Sequence, residues 1–415
     1  MRIAFLSTRI KGLDGVSLEI YKWASIFSEL GHEIFYCAGE LDDLPNSFLI
    51  PEMHFRHPCI AEINNLAFNR IESSSELTQT IETYTTLLYE KIAHFVQENQ
   101  IEIIVAENIL AIPMNIPLGI SLSRFIRTEG IPVIAHHHDF FWERERFSIN
   151  CIPEILEANF PPRNTHIVHV VINSLAQQKL EERTSIHAEI IPNIFDFKKV
   201  ISYSKDADAK VKKSLQISPD EIMVLQPTRI IPRKGIELAI DLVAEMRKPS
   251  TLEKLSNKKA KLVLSHPSGD EGNTYLVMLK KKAATLNVPL IQGYDLFSNV
   301  VDLWDIYRAA DLVTYPSYTE GFGNALLEAI YFRKVIVINQ YPVYEMDIKP
   351  LGFNLIEMNG KVTQEVTDQV VAILNDKKRI LQLTEENFHI AQCFFSYEAM
   401  QPKLDKIIGI LQQQN

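Results

Sequence analysis

Asp311-Leu-Val-Thr-Tyr315-Pro-Ser-Tyr-Thr-Glu320-Gly-Phe-Gly-Asn324-Ala-Leu-Leu-Glu328-Ala-Ile330 is the stretch from which the rest of the chain is read. It opens on a short apolar run that stops at a proline, the pattern of a buried strand. Gly321-Phe-Gly323 is a tight turn, and apolar residues at helical spacing follow it. A strand that ends in a glycine turn and starts a helix directs backbone N–H groups at whatever lies above it, which makes an anion site. Glu320 stands on the loop and Glu328 inside the first turns of the helix. Two carboxylates beside an anion site call for a ligand with both negative charge and hydroxyl groups. A sugar nucleotide has both.

Outward from this stretch the same alternation recurs. Ile222–Leu225, Lys261–Leu264, Pro289–Gln292, Lys334–Ile338 and Phe353–Ile356 read as further strands with helical segments between them, so the second half holds a parallel sheet. The first half repeats the layout. Arg2–Ser7 reads as a strand, followed by a glycine-bearing loop and a helix carrying Leu18, Ile20, Trp23, Ala24, Phe27 and Leu30 on one side. Ile34–Cys37, a helix over Ser74–Asn99, Glu102–Ala106, Pro132–Ala135, Ile167–Ile172, a helix from Ser174 and Ala188–Ile191 continue the pattern. Ser202–Ser218 is polar and lysine-rich with no strand, and the boundary between halves belongs near Asp196. The expected domains are 1–196 and 197–396, with a Leu- and Ile-rich helix over 397–415. No strict dinucleotide glycine fingerprint is present, and an NAD site is not indicated.

Composition excludes several classes. At 415 residues two domains are expected, and 46% hydrophobic with 23% charged residues is that of a globular protein. The net charge of −10 argues against a nucleic-acid partner, because phosphate binding needs clustered Lys and Arg. The short basic runs Lys258-Lys259 and Lys280–Lys282 read as solvated helix surface. Cys37, Cys59, Cys151 and Cys393 are scattered, which fits a reducing compartment rather than a disulfide or zinc framework. The apolar stretch Asn108–Ile126 is broken by Pro113, Asn115, Pro117 and Gly119 and is not read as a membrane span. A cytoplasmic protein is expected, with membrane contact peripheral at most.

In parallel sheets ligands collect beyond the carboxyl ends of the strands. Four polar groups fall there. Gln226-Pro-Thr-Arg229-Ile-Ile-Pro-Arg233-Lys234-Gly235 places three cations before a helix; Arg229 and Lys234 suit a diphosphate, and Arg233 suits either a ligand or the surface. The glutamate pair is the second group. The third is His136-His137-His138-Asp139. On a strand His136 and His138 share one face and His137 points away, so a catalytic or substrate-contact role is assigned to His138 and a satisfied structural role to His137, with metal binding ranked lower. Phe140–Phe147, which includes Trp142, Arg144 and Arg146, forms either an acceptor pocket or a packed loop with surface ion pairs. The fourth, Ser265–Tyr275, has the composition of a polar loop, and its location after the Lys261 strand suggests nucleotide contacts. Gly12 and Gly15 read as turn glycines or ligand contacts. Asp206-Ala-Asp208 has the Asp-x-Asp form of a metal site but no strand before it, and is read as surface.

These residues resemble the family-four retaining glycosyltransferases of the GT-B fold over nearly the whole chain. Asp14-Gly15-Val16-Ser17, Arg229 to Gly235, and above all Glu320-Gly-Phe-Gly-Asn-Ala-Leu-Leu-Glu328-Ala carry the resemblance, with Ile191-Pro-Asn193 and Asp196. Ile194 and Asp14 stand where the family usually has glycines. The resemblance implies two Rossmann-like domains facing across a cleft, with the last helix crossing back to the first. It implies Arg229 and Lys234 on the donor diphosphate, Glu328 on the ribose and Glu320 on the donor sugar. Gly15 and the backbone of Phe322, Gly323 and Asn324 complete the donor site, and His138 lies near the anomeric centre. Asn108, Asp139, Trp142, Arg144 and Arg146 are the acceptor-side candidates.

The expected activity is transfer of a hexose from a UDP- or GDP-linked sugar to an acceptor hydroxyl, with retention by same-face attack and with no metal or other cofactor. Arg and Lys supply the charge that stabilises the departing diphosphate. The acidic charge balance favours a soluble small-molecule or saccharide acceptor over a lipid. A phosphorylase-like enzyme on the same fold and a catalytically silent nucleotide-sugar binding protein are the alternatives.

Overall fold

Among the described residues, thirteen short runs, all but Ser47–Leu49 clearly apolar, become strands, each parallel to its neighbours. β1 (Arg2–Ser7), β2 (Glu33–Ala38), β3 (Ser47–Leu49), β4 (Ile103–Glu107), β5 (Val133–His137), β6 (Ile167–Val171) and β7 (Ala188–Ile190) form one sheet in the order β3-β2-β1-β4-β5-β6-β7. β8 (Ile222–Gln226), β9 (Ala260–Leu264), β10 (Leu290–Gln292), β11 (Leu312–Tyr315), β12 (Val335–Asn339) and β13 (Ile356–Met358) form a second in the order β10-β9-β8-β11-β12-β13. The structure is a computed structural model describing residues 1–12, 14–200, 205–268, 272–296 and 303–413, without the side chains of 205–207 and 296. Two compact units divide the chain: Met1–Ile194 with Tyr397–Asn415, and Phe195–Ser396.

The period of two along each strand sorts the first sheet's residues between two cores. Ile3 and Phe5 of β1, with Ile103 and Val105 of β4, meet Ile20, Trp23 and Phe27 of the helix Gly15–Glu29. Ala4 and Leu6, with Ile104 and Ala106, meet Leu88, Ile92 and Phe95 of the helix Ser75–Glu98 and Leu118 and Leu122 of the helix Ile116–Glu129. The last helix, Tyr397–Gln413, buries Met400, Leu404, Ile407, Ile408 and Leu411 in the core of this first unit, so the chain's end completes the domain that its beginning started. Pro117 of the Asn108–Ile126 stretch is accommodated at a helix start: it lies in the first turn, and Asn115 caps Leu118 N at 3.1 Å. No described helix is long and apolar enough to cross a membrane.

Three elements differ from expectation. β3 is a three-residue edge strand with too few apolar residues to signal itself. β13 starts at Ile356 rather than Phe353, because Asn354 is held by Asn387, whose Oδ1 accepts from Asn354 N at 2.7 Å, and pairing with β12 begins at Ile356. The polar stretch 202–218 contains the helix Lys205–Ser214, anchored by Val211 and by Lys212 Nζ on Asp311 at 2.8 Å. Asp208 in this helix is not bare surface; it accepts from Arg308 Nε at 2.7 Å. The Asp206 side chain lies outside the described residues.

In both sheets the strand order reverses between two neighbours, β1 and β4 in the first and β8 and β11 in the second. Crossover connections leave the sheet on opposite sides there, and the loops diverge to open a crevice. The cation loop follows β8 and the glutamate loop follows β11.

Candidate functional site

In the second unit the ends of β8 and β11 are pinned together by buried side chains. Thr314 Oγ1 donates to Gln226 Oε1 at 2.8 Å, and Gln226 Nε2 donates to Thr228 Oγ1 at 2.8 Å. Beyond them Pro232–Lys234 makes a single 3-10 turn that ends at Gly235, φ +59°. A Cβ on Gly235 would come within 2.3 Å of the Pro316 carbonyl oxygen, so glycine alone lets this turn lie against the glutamate loop. Tyr318 N donates to Arg233 O at 2.9 Å and closes the contact.

The result is a cluster around the Glu320 carboxylate. Lys234 Nζ bonds Oε1, Ser317 Oγ donates to the same oxygen at 2.6 Å, and Arg233 Nη1 reaches Oε2 at 3.2 Å. The side chains of Lys234 and Glu320 keep only 10% and 7% exposure. Burial pushes the Glu320 carboxyl up, but Lys234, Arg233 and Ser317 outweigh it and hold its pKa below the ordinary value. Burial, with the nearby Arg233 and Arg229 charges, leaves Lys234 below an ordinary lysine despite Glu320. Arg229 is exposed. His266 follows β9 with Nδ1 2.9 Å from Ser265 Oγ; burial and the charges of Lys234 and Arg229 lower its pKa to about 4. Gly269, Asp270 and Glu271 of the same loop lie outside the described residues.

Glu328 is set apart from Glu320. Its Oε2 accepts from the buried Tyr307 hydroxyl at 2.7 Å, and the same hydroxyl lies 3.2 Å from Ala325 O. Gly323, φ +133°, precedes the helix Asn324–Tyr331, whose start has no side-chain cap; a Cβ there would stand 2.8 Å from the Tyr315 hydroxyl. Tyr341 Oη donates to Phe322 O at 2.8 Å and fixes the turn from below.

In the first unit the parity of β4 and β5 brings Glu107, His136 and His138 to one face. Glu107 and His136 are paired across the strands, and Trp23 stacks on His136 with centroids 4.2 Å apart. Glu107 Oε1 lies 3.1 Å from His136 Nδ1, and Oε2 lies 3.1 Å from His138 Nε2. His137 points the other way, with Nε2 2.9 Å from His169 Nδ1, while its own Nδ1 is buried without a partner among the described residues. Asn108 turns the chain at φ +60°. Its Oδ1 accepts from His138 N at 3.0 Å and its Nδ2 donates to Asp139 Oδ1 at 3.1 Å, while Asp139 also bonds Arg144. Asn108, His138, Asp139 and Arg144 are thus one network. Trp142 and Arg146 are directed elsewhere: Trp142 stacks on Phe140 at 4.6 Å beneath Arg183, and Arg146 lies over Phe147 at 4.6 Å.

Gly15 is the first residue of its helix. The amides of Val16 and Ser17 beside it are already taken by the Asp14 carboxylate, at 3.1 and 3.3 Å, and Arg9 pairs with the other Asp14 oxygen at 3.2 Å. Two buried acids went unassigned in the sequence reading. Glu19 is fully buried on an otherwise apolar helix face, 2.5 Å from Lys22 Nζ. Glu107 ends a strand beside the histidine strand, and that position is the signal that could have found it. Glu107, His136 and His138 are also the described residues whose ligand atoms, all within 4.8 Å of one another, could surround a metal ion.

Comparison with known proteins places this geometry. The family model described as "Glycosyl transferases group 1" matches residues 207–387. The mannosylglucosylglycerate synthase of Petrotoga mobilis is 33% identical over 94% of this chain and 93% of its own. That of Thermotoga maritima is 31% identical over 98% and 99%. Among solved structures, Anabaena HepE in complex with UDP and glucose covers 99% of each chain at 15% identity with a TM-score of 0.66. The N-terminal domain of Candida albicans trehalose-6-phosphate phosphatase covers 99% of this chain and 97% of its own at 11% identity with a TM-score of 0.70. At such identities the solved structures speak to the fold alone. The chain belongs to the group 1 glycosyltransferases, family four, and has their GT-B fold.

Proposed function

We propose that this glycosyltransferase moves a hexosyl group from a UDP- or GDP-linked sugar to a hydroxyl of a small acceptor, with retention and without a metal. The observation that carries the reading is the cluster at the β8–β11 switch point, where Lys234 and Arg233 gather on Glu320 and Arg229 stands exposed beside them. Breaking a glycosyl–phosphate bond builds negative charge on the leaving diphosphate. Fixed cations at a buried site lower that barrier without reorganisation. Arg229 and Lys234 take that role, Glu320 contacts the transferred sugar, and Glu328 contacts the ribose. In the retaining reaction the acceptor attacks from the face that the diphosphate leaves, and a leaving phosphate oxygen takes the acceptor proton. In the first unit His138 and the Asn108–Asp139–Arg144 network serve the acceptor side.

The name shared by the two long relatives supports a finer reading: the sugar is mannose and the acceptor a glucosylglycerate, a soluble carboxylate. The test is transfer by the purified protein from UDP- and GDP-hexoses to glucosylglycerate, with and without EDTA, with the anomer of the product read by NMR. Glu320→Gln and Lys234→Ala are each expected to lower the rate at least ~100-fold, as when a group that stabilises charge is removed. Near wild-type rates in both would sink the reading. Loss of transfer in EDTA, or an inverted product, would overturn its metal-free or retaining part.

A further inference from the structure

Glu107 has no place in the chemistry just described, yet its side chain is fully buried at the end of β4. A buried carboxylate is costly unless its oxygens are bonded. Here each oxygen has its own imidazole nitrogen at 3.1 Å, Nδ1 of His136 and Nε2 of His138. Burial raises the Glu107 pKa, but the two histidines outweigh it and lower it to about 2. An ionised carboxylate is an acceptor only, so both nitrogens facing it carry hydrogen. That assigns Nε2–H to His138 and leaves Nδ1 as its other ring nitrogen, which bonds no protein atom among the described residues while the side chain keeps 12% exposure. His136 is braced differently: its ring is stacked on Trp23 and its Nε2 is buried and unpartnered.

We propose that Glu107 is the positioning residue of His138, holding the ring by its Nε2–H so that Nδ1 is the nitrogen offered to ligand, with His136 bracing the second carboxylate oxygen. The inference rests on the reading of His138 as a ligand contact. The titratable groups that face His138 are Glu107 from β4, His136 from β5, Glu19 from the helix Gly15–Glu29, and Asp139 from the loop that follows. Burial lowers the His138 pKa, and the three carboxylates more than reverse this and raise it above the ordinary value. Below that pKa Nδ1–H donates to a ligand oxygen, and above it Nδ1 becomes an acceptor.

The experiment is histidine ¹⁵N NMR of the whole protein without substrate, beside the pH profile of kcat. In the wild type His138 is expected to show the Nε2–H tautomer at high pH and a pKa above 6.5. Glu107→Gln should lower that pKa by about one unit or more. It should also move the alkaline limb of kcat with it and reduce kcat about tenfold or more, as for carboxylates that orient a histidine. Glu107→Asp should restore part of each effect, and it is read in place of Glu107→Gln if the latter does not fold. An unchanged His138 tautomer and titration in a folded variant overturns the proposal. So does a stoichiometric transition metal in the purified wild type, because a metal would occupy both nitrogens. A fully active His138→Ala would sink instead the ligand-contact reading, while the NMR titration would still judge the hold of Glu107.

Discussion

The Pro316 carbonyl oxygen occupies the space next to Gly235, 2.3 Å from where a Cβ would stand. This close approach lets the cationic turn lie on the glutamate loop, where Tyr318 N bonds Arg233 O. Gly235→Ala must both strain a left-handed backbone and push the two loops apart. We expect it to destabilise the second unit by about 2 kcal/mol or more and to weaken nucleotide binding. Urea unfolding and nucleotide titration read the two effects, and wild-type values in both would show that the loops do not depend on this approach.

Stability and activity should separate at Lys234 and Glu320. Lys234→Met leaves the buried Glu320 carboxylate with Arg233 as its remaining cation and Ser317 as a hydroxyl donor, and is expected to cost about 3 kcal/mol, the usual result of breaking a buried pair from one side. The double variant Lys234→Met/Glu320→Gln removes both charges and should recover most of that loss while remaining inactive. A double variant no more stable than the single one would mean that the pair is not energetically coupled.

Acid should loosen the first unit early. Burial and the neighbouring histidines hold His137 well below 6.5, and burial lowers His169 from 6.5 to about 4. Groups with lowered folded pKa values bind fewer protons folded than unfolded. Their contribution is therefore complete above 6.5 and is lost as pH falls toward 4. The expected slope is about 1.4 kcal/mol per pH unit for each histidine. His169→Gln should remove about one proton's worth of it, measured by urea unfolding at several pH values. His138, whose pKa is raised, acts in the opposite sense and contributes below 6.5.

The last helix should matter to the first unit. Leu404 is fully buried in its core. Leu404→Ala is expected to destabilise that unit by about 3 kcal/mol. Hydrogen exchange of the helix Gly15–Glu29 is the readout, and unchanged protection there would count against the packing described.

Most strands and the long helices were legible because burial repeats with a period of two or near 3.6. Leu312–Tyr315, Ile222–Gln226 and Ser75–Glu98 fall within a residue or two of their expected limits. β3 and β13 were not, one being too short to show a period and the other displaced by a side-chain bond to Asn387. At the site, Arg229, Lys234 and Glu320 could be named from their places after strands. Glu107 carried the same sign, its place at the end of β4, but the histidines that make its burial possible lie at the end of the next strand, and Glu19 on its buried helix face has only Lys22, one turn on, to mark it.

Glu320, Gly321 and Gly323 beside an apolar helix start are properties of a few consecutive residues, and local rules of strand, turn and helix are enough to read them. That Glu320 meets Lys234 depends on β8 lying next to β11, and that Glu107 meets His138 depends on β4 lying next to β5. Such pairings join residues 86 and 31 positions apart. Strand order and register settle them, because burying both faces of each sheet admits only one alignment of its apolar rows.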